Sequence, residues 1–250
     1  IDLAVSFDIL EDVQNAQRHH YKVVTANLRH IIDFGIVPAI NSVVTELNVM
    51  RQVEMIESLH RNYPEIKYVS FEPVIGSIED KKRFYHQLAV NFTEALDKAH
   101  EYGIELSFTT LRNVDVTVDR YCAGEFALCP DGSISICPCV SSSMEPNYEQ
   151  YIYGRVEDEN VVIDREKLSR LLSVNVHSNP WCRNCFAKWN CGGGCMNTNV
   201  TNGNCQDREY CSFTRTLTRH FLYTRLEKTY REEYNEDLTQ IINKNEYIIR

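Results

Sequence analysis

The sequence predicts an α/β protein in two parts, a parallel sheet built from strand–helix–strand units and then a small cysteine-rich domain. Three features predict it. Through the first hundred residues, short β-branched runs alternate with longer amphipathic segments. All ten cysteines fall between Cys122 and Cys211, and none in residues 1–121. From residue 109 the alternation stops and turn signals take over.

The expected strands are DLAVSFD (2–8), IVPAINSVV (36–44), IKYVSFEP (66–73) and IELSF (104–108). The first helix, over 21–34, places Val24, Leu28, Ile31 and Ile32 on one face, and Gly35 closes it. A second, over 47–62, uses Val49, Val53, Ile56, Leu59 and His60 before Pro64 forbids continuation. A third, over 79–102, carries Phe84, Leu88, Phe92, Ala95 and Leu96 and ends at Gly103. Strands separated by helices argue for parallel pairing with right-handed crossovers. Ligands of such sheets sit at the carboxyl ends of the strands. Asp8, Asn41, Ser42 and Glu72 are therefore candidates for binding as well as for plain strand-end caps.

In the second part, FALCPDGSISICPC sets two alternating runs around Pro130-Asp131-Gly132, the signature of a β-hairpin with cysteines at its ends. Residues 140–180 read as irregular, with one helix at 164–173. A further helix, roughly 212–233, shows Phe213, Leu217, Phe221 and Leu222 on one side, followed by a polar tail. The expected division is 1–108, 109–211 and 212–250.

A formal charge of −9 supplies no basic field for nucleic acid or anionic lipid. No run of about 18 apolar residues crosses a membrane, and no signal peptide is present. The chain opens on Ile1 in what reads as a strand, so the expectation is a sequence lacking its amino-terminal part.

The cysteines carry the chemistry. Residues 181–195 read Cys182-x2-Cys185-x5-Cys191-x3-Cys195; Cys122, Cys137 and Cys211 flank them, and Cys129, Cys139 and Cys205 are left over. Clustered thiolates suit zinc or iron–sulfur clusters, and four close either kind of site. No H-x3–5-H pair accompanies them, which speaks against a Cys2His2 finger. Gly192-Gly193-Gly194 favours iron–sulfur, since glycine lets backbone N–H groups approach a bulky cluster. Cys129, Cys139 and Cys205 read equally well as small hydrophobes or free thiols.

Cys122-x9-Gly132-x4-Cys137, then the 182–195 run, then Cys211, resembles the seven-cysteine SPASM signature of radical S-adenosylmethionine (SAM) enzymes that modify peptides and proteins. SFDILEDVQNAQR (6–18) is similar to the strand-and-loop S-x-D-G…R segment of that family's barrel. The resemblance implies the carboxy-terminal part of a partial (β/α)6 radical SAM barrel, followed by a SPASM domain with a β-hairpin and helices. It implies two auxiliary 4Fe–4S clusters. Cys182, Cys185, Cys191 and Cys211 would hold one; Cys122, Cys137 and Cys195 would hold the other, with Cys129, Cys139 or an open iron as its fourth position. Ser6, Asp8 and Arg18 match SAM-site positions, Arg18 pairing with the SAM carboxylate. Ile9 replaces the usual glycine, which implies a different local turn.

The Cys-x3-Cys-x2-Cys loop that binds the SAM-cleaving cluster is not in these residues. Its place, with SAM and a third 4Fe–4S cluster, would be upstream in an intact protein. The family's activity is hydrogen-atom abstraction from a peptide or protein, forming for example thioether or carbon–carbon cross-links in ribosomally made peptides. An electron donor such as flavodoxin or ferredoxin is the implied partner. Sulfatase-maturing relatives carry Asp after the cysteine matched by Cys137, where this chain has Pro138. That activity is an alternative, as is a non-catalytic iron–sulfur or zinc-binding module. Thiolate-held clusters also imply a reducing, cytoplasmic setting.

Overall fold

The computed structural model describes residues 3–74, 78–109, 116–145, 147–158, 160–196 and 207–240. They divide into two compact units, one within Ile1–Arg112 and Arg215–Arg250, the other within Asn113–Thr214.

The first unit holds a parallel sheet of β1 (Ala4–Ser6), β2 (Ala39–Val44), β3 (Tyr68–Pro73) and β4 (Glu105–Ser107), in chain order. Helices α1 (Glu11–Gln17), α2 (Tyr21–Asp33), α3 (Gln52–Asn62) and α4 (Lys81–Glu101) connect the strands. Strand alternation separates two faces. One carries Phe7, Ile40, Val44, Val69, Phe71, Leu106 and Phe108, all buried with the helix stripes Leu28/Ile32, Met55/Ile56/Leu59 and Phe84/Leu88/Phe92. Phe92 of α4 meets Phe71 and Phe108 edge-on, with ring centroids 6.5 and 6.2 Å away. Each such side chain contributes about 1.5–3 kcal/mol by leaving water. The other face carries a row of small polar residues, described with the site below.

Gly35, at φ +86°, ends α2 in the left-handed turn that glycine adopts without strain. The Asp80 carboxylate accepts the Arg83 N–H at 3.0 Å and starts α4. Two local expectations change. Helix α3 begins at Gln52 rather than residue 47, because buried Asn48 turns the preceding segment back onto β2. Its side chain accepts from Thr45 N at 2.7 Å and donates to Val43 O at 3.0 Å, competing with helical bonds. The unforeseen α1 occupies part of the stretch read as strand and loop, with Glu11 and Asp12 favourably placed in its first turn.

The second unit holds an antiparallel sheet of β5 (Ala127–Leu128), β6 (Ser133–Ser135), β7 (Ile152–Glu157) and β8 (Asn160–Ile163). The first two form the expected hairpin around Pro130-Asp131-Gly132. Residues 140–180 are not irregular: besides α6 (Arg165–Leu172) they contain α5 (Tyr148–Tyr151), β7 and β8. Exposed residues on both faces of β7 and β8 blur the alternation that marks a strand. A small core of Cys129, Ile134, Ile136, Val140, Tyr148, Tyr151 and Tyr153 lies against Leu168, Leu171 and Leu172. A 3-10 turn (Pro180–Cys182) and α7 (Lys188–Cys191) follow. Helix α8 (Arg208–Tyr234) starts before the expected residue 212 and runs from this unit into the first. No helix among the described residues is long and apolar enough to cross a membrane.

Candidate functional site

On the sheet face opposite the apolar core, strand register aligns Ser6, Asn41, Ser70 and Ser107 across all four strands. Towards the carboxyl ends the polar character continues. Asp8, 0% exposed, accepts Arg18 Nε at 2.8 Å through Oδ2 and Val43 N at 2.9 Å through Oδ1. Ser42 Oγ approaches the same Oδ1 at 3.4 Å. Glu72 accepts from Thr109 N at 2.8 Å and from Ser70 Oγ at 3.0 Å. Candidates Asp8 and Arg18 are therefore brought together, and Ser6 stands exposed at the end of β1. Asn41 is also exposed, whereas Ser42 is buried on the helix side.

Ile9 follows directly, buried, with φ 62°. A left-handed β-branched residue costs about 1–3 kcal/mol. The turn thus takes a left-handed backbone, one that glycine adopts freely, with a β-branched residue in its place.

The cysteines gather at two places in the second unit. Cys182 and Cys191 are buried, and Cys185 stands between buried and exposed. The Cys185 N–H donates to Cys182 O at 3.1 Å and Cys191 N–H to Ala187 O at 2.8 Å, so one tight turn and one helical turn bring the three thiols near each other. Burial, reinforced by Cys182, pushes the Cys191 thiol up to about 11, while the N–H groups of Gly193 and Gly194 act in the opposite sense. Burial raises Cys182 too. Cys211 lies on α8 one turn beyond Arg208, whose guanidinium stacks over Trp181 at 4.6 Å. Residues three apart share a helix face, so Cys211 follows the contact made beside Cys182.

The second place is a cavity of about 200 Å³ lined by Cys122, Cys137, Cys139 and Cys195, with Tyr151 and Gly192–Gly194 among its walls. Gly192 builds this arrangement. A Cβ there would stand 2.3 Å from Tyr121 N, so the segment leading to Cys122 packs directly on the glycine. Val118 N–H to Trp189 O at 2.8 Å and Arg120 Nη1 to Leu172 O at 3.0 Å hold that segment. The first glycine thus makes room for backbone, while Gly193 and Gly194 line the cavity. Burial pushes the Cys137 thiol up to about 11; the Cys139 N–H opposes the shift, while the Cys139 and Cys195 thiols alongside add to it. Tyr151 is 0% exposed and its hydroxyl has no hydrogen-bond partner. Burial, then Cys195 and Cys137, raise its pKa.

Cys129 belongs elsewhere: it is 3% exposed in the small core, its sulfur 3.8 Å from Ala127 O. Cys205 lies outside the described residues. Among the described residues no three His, Cys, Asp or Glu side chains stand close enough to hold a metal ion as they lie. Tyr151 is the residue that sequence reasoning missed; a buried tyrosine between helix and strand carries no motif.

No protein-family model and no curated protein matches the chain. Among solved structures it is similar to native anSMEcpe with bound AdoMet, with a TM-score of 0.64 and 14% identity over 90% of this chain and 67% of that one. The likeness is one of fold: an α/β architecture with a parallel sheet.

Proposed function

We propose that the intact protein is a radical SAM enzyme of the SPASM type. It abstracts a hydrogen atom from a ribosomally made peptide or a protein, with two auxiliary 4Fe–4S clusters in the cysteine-rich unit. The observation that carries this reading is the cavity on which Cys122, Cys137 and Cys195 converge in a chain of radical-SAM-like fold. Its walls fit such a group: soft thiols, glycine backbone at close quarters, and a buried hydroxyl without a partner.

When bound, such clusters supply one-electron redox chemistry. Cys122, Cys137 and Cys195 would hold one, and Cys182, Cys185, Cys191 and Cys211 the other, as thiolates. The Gly193 and Gly194 N–H groups stabilise the Cys191 sulfur in its charged form. In the first unit, Asp8 holds one edge of the Arg18 guanidinium, leaving the other edge to the SAM carboxylate it would pair with. The Ser6–Asn41–Ser70–Ser107 row offers hydroxyl and amide groups to a polar ligand. The radical-generating loop would lie in the intact protein, and an electron donor such as flavodoxin or ferredoxin would be its partner. Pro138 neither accepts nor donates a proton after Cys137, which favours peptide modification over sulfatase maturation.

Anaerobic reconstitution with iron and sulfide, followed by metal analysis, tests the reading. Two cubane clusters require about eight iron per chain in this cysteine-rich unit. A colourless protein with about two zinc would overturn it.

A further inference from the structure

Four cysteines line the cavity, although the SPASM pattern assigns it three. We infer that Cys139 is the fourth thiolate of the Cys122/Cys137/Cys195 centre and that Tyr151 donates its hydroxyl hydrogen into that centre. The assignment rests on the cluster reading above.

The local sequence builds the placement. Ser135 Oγ donates to Cys137 O at 2.9 Å and accepts Cys137 N–H at 3.2 Å, fixing the backbone where the hairpin ends. A β-turn follows, closed by Val140 N–H to Cys137 O at 3.0 Å, with Pro138 at its second position, where a fixed φ favours the bend. The turn folds Cys139 back, so that its N–H and its thiol both contact Cys137. Pro138 therefore has a constructive role: it brings two thiols to one wall of the cavity.

The competing cysteine is excluded by its surroundings. Cys129 points into the core beside Ile134 and Ile136 and takes no part in the cavity wall. Residues 109–121 contain no cysteine.

Tyr151 supplies an independent sign that the cavity receives an acceptor. Its backbone is tied beside the cysteines by Ile136 N–H to Tyr151 O at 3.1 Å. Its hydroxyl, wholly buried in the cavity wall, has no protein partner. A buried polar group without a hydrogen bond costs about 1–3 kcal/mol. Cluster sulfide or thiolate sulfur, both acceptors, would satisfy it.

The test uses Cys139→Ala, Cys129→Ala and Tyr151→Phe in the full protein, reconstituted anaerobically. Cys139→Ala is expected to lose about one iron per chain and to show the paramagnetic signal of an oxidised three-iron cluster. Cys139→Ser, which offers an oxygen ligand, should restore the fourth iron. Cys129→Ala should keep the parent iron count, and so should Tyr151→Phe. In Tyr151→Phe the reduction potential of one cluster should move to a more negative value, since a donor to its sulfur is gone. Full iron and no three-iron signal in folded Cys139→Ala would overturn the ligand assignment alone. An unmoved potential in Tyr151→Phe would overturn the hydrogen bond. A parent protein that takes up no iron would overturn the cluster reading beneath both.

Discussion

The two units are held together by different means. In the first, seven large or branched residues on one sheet face meet three helix stripes, and Phe92 meets both Phe71 of β3 and Phe108 just past β4. The second has a compact core around Tyr151 and Ile134, while the segments bearing most of its cysteines are shaped by turns and single hydrogen bonds. The difference teaches that burial suffices to organise the first unit, whereas on the proposed function the cysteine-bearing segments would draw their order from what the thiols bind.

Stripping the metal is the widest way to break that comparison. On the proposed function, the iron-free protein should lose hydrogen-exchange protection over residues 179–195 and 207–214 and keep it in β2, β3 and α4. Uniform protection with and without iron would show that the second unit organises itself. Next in size is Phe92→Ala, with an expected loss of about 3–5 kcal/mol in chemical denaturation, confined to the first unit. Its iron content per folded chain should be unchanged.

Gly192→Ala should cost about 3 kcal/mol, because the new methyl would meet the Arg120–Tyr121 backbone at a φ of +64°. Here stability and the occupancy of the Cys122 centre should fall together; loss of only one would separate packing from ligand placement. The smallest effect belongs to Asp131. The Tyr148 hydroxyl, at 2.6 Å, and the Ser133 N–H hold its carboxyl below the ordinary carboxylate value. A lowered folded-state pKa stabilises the unit above the unfolded value, and that stabilisation disappears as pH falls through the folded one. An acid titration of the second unit below about pH 4 should therefore lose its Asp131 contribution in Asp131→Asn.

Much of the first unit was legible because both periodicities are clean. Val24/Leu28/Ile32 and Phe84/Leu88/Phe92 keep helical spacing, and Gly35 and Gly103 close their helices at positive φ. Helix α1 was not legible: seven residues give hardly two turns of pattern. The β7–β8 hairpin left a faint signal, VEDEN between β-rich runs, but its exposed side chains removed the alternation. In the candidate site, spacing showed that the thiols cluster, and the family resemblance grouped them into two sets. It could not separate Cys139 from Cys129, because both sit near one hairpin and differ only in which way the chain turns after them.

The sequence by itself determined the strand–helix alternation, the segregation of cysteines and the pairing of their types with soft metals, all of which follow from local pattern and donor chemistry. Only the tertiary structure decided that Gly192 yields its space to Arg120 and Tyr121, that Arg18 rests on Asp8, and that Tyr151 faces the cysteine cavity. The first and third join segments tens of positions apart, and the Asp8–Arg18 pair, though ten positions apart, is set where Asp8 also accepts the Val43 N–H. Where such segments meet is settled by packing and backbone hydrogen bonds that no local spacing records.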